Sequence, residues 1–158
     1  MSRPTINTPP IVDLTIAATP ERPAVTIKTI LNATVGVYAN AAVTVTNPVV
    51  AVTPTLIAKM RIGALRREAL RVALGAHNEE LTSRPAVKSY FRGSTGRAVS
   101  EKARLDPSAE QLENAALIYR LARLAGDFPV QAIARSFNLE HPDAQRWAAL
   151  ARKNGDLR

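Results

Sequence analysis

The chain has 158 residues, of which 46% are apolar but only 4% aromatic, with no cysteine and a formal net charge of +8. That length suits one ordinary domain or two small ones, with a core built from Ala, Val, Leu and Ile. Without cysteine there is no disulfide and no thiolate chemistry, no segment approaches the roughly 20 apolar residues of a membrane span, and the N-terminus lacks a signal-peptide apolar stretch, so a cytoplasmic location is expected.

The excess charge is unevenly placed. Residues 1–58 hold three basic and two acidic side chains, residues 59–104 eleven and four, and residues 105–158 seven and seven. A basic chain favours polyanionic partners, and here nearly all the excess lies in the middle third.

Residues 1–10, MSRPTINTPP, carry three prolines and no periodic pattern, and read as a disordered lead. From Ile11 to about Val52, short runs rich in Val, Ile and Thr are separated by Thr-Pro, Arg-Pro and Asn-Pro breaks. These are strand signals, and they predict a small antiparallel sheet of three to five strands.

Thr53-Pro54 is a helix start, a capping hydroxyl followed by proline in the first turn. The helix expected over 55–74 would carry Ala58, Ile62, Leu65, Ala69 and Val72 on one stripe, could be broken in two at Gly63, and would be closed by Gly75. This completes a β-rich module over 11–75. Residues 76–104 read as a polar, basic linker, in which Lys88, Arg92 and Arg97 are candidate phosphate contacts beside Tyr90 and Phe91. The plain alternative is a solvated connector.

Asp106-Pro107 is expected to cap a long helix reaching about Ala125, with Leu112, Ala116, Tyr119 and Ala122 turned toward the remaining chain. Residues 128–157 then read as two short helices joined by a tight turn. Pro129 marks the first start, and Ile133, Ala134 and Phe137 form its inward stripe. Asn138 falls where the turn demands a left-handed backbone, which Gly and sometimes Asn tolerate. His141, Pro142 and Asp143 open the second helix, Ala144 and Trp147 point inward, and Gln145, Arg146 and Ala149 point outward. Gly155 is placed to end it.

That spacing is the pattern of a helix-turn-helix, and residues 105–158 are assigned to such a domain. Candidate DNA-contacting residues are therefore His141, Gln145, Arg146, Arg152, Lys153 and Arg135, together with Lys88, Arg92 and Arg97 of the basic segment. Arginine on guanine and glutamine on adenine are the favoured major-groove pairings.

Pro129, Ala132, Ile133, Ala134, Phe137, Ala144, Arg146, Trp147, Ala151, Arg152, Gly155 and Leu157 also match a group of small actinobacterial and phage-associated helix-turn-helix proteins, which this stretch resembles. The resemblance covers about a third of the chain; Asn138 departs from the group's usual glycine, and Asn138-Leu139-Glu140-His141-Pro142 stands in place of a serine-rich turn. It implies a regulator, and says little about target.

Other chemistry finds no support in the residues. His77 and His141 are the only histidines and lie far apart without cysteine, so no metal is expected; Gly93-Ser94-Thr95-Gly96 lacks the lysine and following helix of a phosphate loop; no serine sits in a nucleophile elbow. An enzyme is not expected, nor a cofactor. The expected fold class is α+β, a β-rich module carrying one or two helices followed by an all-α helix-turn-helix domain. The expected function is double-stranded DNA binding, as a transcriptional regulator, with a homodimer and a small-molecule ligand left open. The alternatives are an assembly or adaptor protein docking through the helical hairpin, and a recombination accessory factor.

Overall fold

A computed structural model describes residues 4–19, 23–46 and 51–157. The architecture is α+β: three antiparallel strands, β1 (Ile11–Ile16), β2 (Ala24–Asn32) and β3 (Val37–Thr46), in the order β1-β2-β3, followed by helices. Alternation builds the sheet. Val12 and Leu14 of β1, with Val25, Ile27 and Thr29 of β2, face the helices and are buried, while their neighbours in sequence face away. Thr29 is tolerated inside because its hydroxyl donates to the Val12 carbonyl at 2.9 Å. The run after Thr46 expected as a further strand lies largely outside the described residues.

Two helices follow, α1 (Pro54–Lys59) and α2 (Ile62–Ala76). Thr53 caps α1 as expected, accepting from the Leu56 amide at 3.2 Å. The break between them falls at Met60 and Arg61 rather than at Gly63, and Arg61 itself takes a left-handed conformation with φ of 48°. The shift moves the buried stripe of α2 onto Leu70 and Leu74, and leaves Val72 60% exposed instead of inward. Gly75 does not end α2 either. It lies inside the helix, where a Cβ would stand 3.0 Å from the Phe91 ring, so its smallness lets the next helix approach.

That next helix lies within the segment expected to be a linker. After a 3₁₀ turn at Glu79–Ser83, α3 (Pro85–Arg92) begins on proline and ends on Gly93 in the left-handed region. Val87, Tyr90 and Phe91, at i, i+3 and i+4, form its buried stripe and join the same core as the strands and α2. A short α4 (Glu101–Leu105) follows, capped by Ser100. Residues 76–104 are thus part of the folded body, because three large side chains at helical spacing outweigh the polar composition around them. Residues 4–10 are also docked. The Asn7 amide donates to Asn78 Oδ1 at 2.6 Å, Asn78 Nδ2 donates back to the Asn7 carbonyl at 3.0 Å, and Tyr38 donates its hydroxyl to the Pro9 carbonyl at 2.6 Å.

The last three helices are α5 (Ala109–Ala125), α6 (Pro129–Phe137) and α7 (His141–Lys153). Ser108 rather than Asp106 caps α5, in a reciprocal capping box with Gln111. Leu117, Ile118 and Leu121 of α5 are wholly buried, each stabilising the fold by about 1.5–3 kcal/mol relative to exposure. One apolar core runs from the sheet through α2 and α3 to α5, α6 and α7. No helix among the described residues is long and apolar enough to cross a membrane.

Candidate nucleic-acid interface

The pair α6 and α7 meets through Ile133, Phe137, Ala144 and Trp147, all buried. The Phe137 and Trp147 rings meet edge to face with centroids 4.9 Å apart. Between the helices Asn138 has φ of 49° and ψ of 51°, the left-handed conformation expected of it, and its amide and that of Leu139 bond back to the Arg135 and Ala134 carbonyls at 3.3 and 2.8 Å. Beyond α7, Gly155 has φ of 78°, and the Asp156 amide returns to the Ala151 carbonyl at 2.8 Å. Both helix ends are thereby closed by residues that accept a positive φ.

The outer face of α7 is formed by His141, Pro142, Gln145, Ala149, Arg152 and Lys153, all exposed. Gln145 Nε2 and His141 Nε2 lie 3.1 Å apart, one helical turn apart on that face. Arg152 and Lys153 stand in the last turn, near the negative end of the helix dipole.

Arg146 does not share that face. Its guanidinium donates to the Arg104 carbonyl and pairs with Asp143 Oδ1 at 3.3 Å, while Trp147 Nε1 donates to the same carbonyl at 3.1 Å. Arg104 itself reaches Asp143 Oδ2 at 3.6 Å. The C-terminus of α4 is therefore laid along the flank of α7. Asp143, the only carboxylate within α7, is held by two arginines and is 19% exposed.

Arg135 is also drawn inward. Its Nη2 lies 3.6 Å from Asp127 Oδ2, and Arg71 of α2 reaches the same carboxylate oxygen at 3.5 Å. Tyr90 of α3 sits against this cluster with the Arg71 guanidinium 6.0 Å from its ring centroid. Burial pushes the Tyr90 hydroxyl well above its ordinary pKa, and the Asp127 carboxylate adds to this against the opposing pull of Arg71 and Arg135. The cluster ties α2, α3 and α6 to the loop between α5 and α6.

The basic segment divides in the same way. Arg84 is taken up by Asn114 Oδ1 at 2.7 Å and Glu113 at 3.4 Å. Lys88 and Arg92 stay exposed one turn apart on α3, and Arg97 is exposed on the extended stretch that follows. That stretch is fixed beside α6. The Gly96 amide donates to the Arg135 carbonyl at 2.9 Å, and a Cβ on Gly96 would stand 1.8 Å from the Ser136 carbonyl oxygen. Farther on, Val99, Glu101 and Arg104 border an open cleft with Asn138, Leu139 and Glu140, so the stretch crosses the turn before reaching α7. Arg97 and Lys102 are exposed on this stretch, and the acids Glu101, Asp106 and Glu140 are exposed as well.

Of the nine candidate residues, the structure brings His141, Gln145, Arg152 and Lys153 onto one surface. Arg97 runs alongside, and Lys88 and Arg92 lie on a helix packed against α6. Arg135 and Arg146 are half-exposed, and each is engaged by a neighbouring carboxylate. Asp143 lies one turn before Arg146, and Asp127 shortly before Arg135; the partners with no signal in the sequence are the Arg104 carbonyl, 42 residues from Arg146, and Arg71, 56 from Asp127. Comparison of the chain with protein-family models, with curated proteins and with solved structures returned no match.

Proposed function

We propose that the protein binds double-stranded DNA, with the outer face of α7 entering the major groove, and that it acts as a transcriptional regulator. What carries the reading is the charge on that face. The neutrality of residues 105–158 argues against a polyanionic partner only if their carboxylates are free to repel it. Asp143 and Asp127 are instead each held between two arginines, and the face from Gln145 to Lys153 carries Arg152 and Lys153 with no carboxylate, the exposed Glu140 standing at the opposite end of α7. The likeness of residues 128–157 to helix-turn-helix regulators supports the same reading.

Roles then follow from position. Gln145, in the middle of the exposed face, is the base-reading candidate, with His141 beside it; adenine is the base whose edge pairs with a glutamine amide. Arg152, Lys153, Arg97, Lys88 and Arg92 contact phosphates, which position the protein without reading sequence. Arg146 orients α7 and touches no base.

A binding-site selection with the wild type, Gln145→Ala and Arg152→Ala tests this, with the salt dependence of affinity measured alongside. Gln145→Ala is expected to relax preference at one position by about 1–3 kcal/mol. Arg152→Ala is expected to weaken all sites alike and to reduce the slope of log K against log salt by about 0.9. A wild type that selects nothing and shows no salt slope would leave the adaptor role.

A further inference from the structure

In the sheet β1-β2-β3, β1 is an edge strand. Its register with β2, together with the bond from the Leu31 amide to the Pro10 carbonyl, turns the backbone groups of Val12, Leu14 and Ile16 toward β2. The N–H and C=O of Ile11, Asp13 and Thr15 therefore point to the open side, where no strand lies among the described residues. Natural edges are usually blunted by proline, charge or a covering element, because such a row of unpaired groups is a template for another chain.

Beside this edge runs an open groove of about 390 Å³ between β1 and α2. Leu14, Ile16, Leu65, Ala69 and Val72 give it an apolar lining, and Val72 is 60% exposed there. A strand added to β1 would place every second side chain in the groove and the others on the outer face of the sheet, beside Asp13. Glu68 is the ionisable side chain on the groove side and Asp13 projects from the outer face of β1; both are carboxylates, in a chain of net charge +8. Lys28 stands opposite Asp13 across β1 and β2, but no ion pair joins them.

We infer that this groove binds an extended, proline-free segment of another protein, with apolar side chains at alternate positions and lysine or arginine between them. Main-chain bonds to Ile11, Asp13 and Thr15 would supply affinity, the apolar lining would select the side chains that enter the groove, and Asp13 those on the outer face. A second copy of this chain fits less well, since antiparallel pairing of β1 about a two-fold axis near Asp13 brings like charges together. The inference does not depend on DNA binding.

The probe is a blocked peptide as long as β1, alternating valine and lysine and carrying a neutral dye, titrated by fluorescence anisotropy against the full chain. Its counterparts carry glutamate for lysine, or proline for the central valine. The lysine peptide is expected to bind and both counterparts to bind at least about five-fold more weakly, although the protein's overall charge favours the glutamate peptide. Asp13→Lys, at an exposed strand position, is expected to reverse the preference between lysine and glutamate, and Val72→Gln to weaken binding about five-fold. Bound peptide should slow amide exchange at Ile11, Asp13 and Thr15. The inference is overturned by no binding at the highest soluble concentration, by equal affinity for the peptides, or by unchanged exchange at those amides. It is overturned as well by a dimer in sedimentation that Val72→Gln dissolves, which would assign the groove to a second copy.

Discussion

Trp147 Nε1 donates to the carbonyl oxygen of Arg104 at 3.1 Å, across 43 residues of sequence, and so joins the buried side of α7 to the end of α4. The Arg146 guanidinium reaches the same oxygen. One carbonyl thus fixes two neighbouring side chains of α7, one buried and one half-exposed, and the helix cannot roll without breaking both bonds.

Trp147→Phe keeps a ring against Phe137 but removes the donor, and is expected to lower stability by about 1–3 kcal/mol. Amide exchange of Ala103 to Asp106 should quicken at the same time, because α4 loses an anchor. Thermal melts and exchange rates read the two effects, and α4 amides that exchange as in the wild type would show that the bond does not hold the helix.

Gly96→Ala places a methyl group where the Ser136 carbonyl oxygen stands only 1.8 Å away, and that neighbour is backbone, which cannot rotate aside. A loss of at least about 1–3 kcal/mol is expected, as in overpacked cores. Gly63→Ala is the contrasting case. It lies in the first turn of α2 with only the Arg67 guanidinium within 4 Å, at 3.7 Å, so the gain in helix propensity should leave stability unchanged or raised by up to about 1 kcal/mol. If urea unfolding gives the two variants equal midpoints, the stretch from Gly93 to Ser100 does not lie against α6 as described.

Asn138 holds a left-handed backbone on an exposed turn. Asn138→Gly should be neutral or slightly stabilising. Asn138→Val should cost about 1–2 kcal/mol, since a branched side chain crowds the backbone there. Melting temperatures distinguish them, and an equal pair would mean that the turn between α6 and α7 has another conformation in solution.

Tyr90 is fully buried, and its hydroxyl finds no hydrogen-bond partner among the described residues. Its pKa is raised in the folded protein above the ordinary value of 10.0. Above about pH 10 the unfolded chain gives up this proton while the folded chain keeps it, so stability present below that pH is lost as the pH rises. Tyr90→Phe should therefore be neutral or stabilising at pH 8 and should flatten the decline between about pH 10 and 11. Urea melts at the two pH values decide it; an alkaline decline equal to that of the wild type would place its source elsewhere.

Where a residue's role depends on its nearest neighbours along the chain, the sequence was sufficient for most elements, though not for the bounds and inward face of α2 or the cap of α5. Periods of two and of 3.6 residues locate the sheet, α5, α6 and α7; Thr53 marks the start of α1, and the backbone need of the turn after Phe137 marks Asn138. The stripe Val87, Tyr90, Phe91 between Pro85 and Gly93 was equally legible, but it is short and lies among six cations from Arg84 to Arg104, and the composition of the stretch masked it. The fate of the arginines was of another kind. Arg135 and Arg146 read as surface cations in sequence, and only the folded chain brings Arg71 to the Asp127–Arg135 pair and the Arg104 carbonyl to Arg146. Hydrophobic burial falls on whole faces of an element and repeats with its period, whereas an ion pair is a single meeting of two side chains, and nothing in local sequence records which distant segment arrives there. The tertiary structure alone therefore decided which cations of α6 and α7 are engaged by distant parts of the chain.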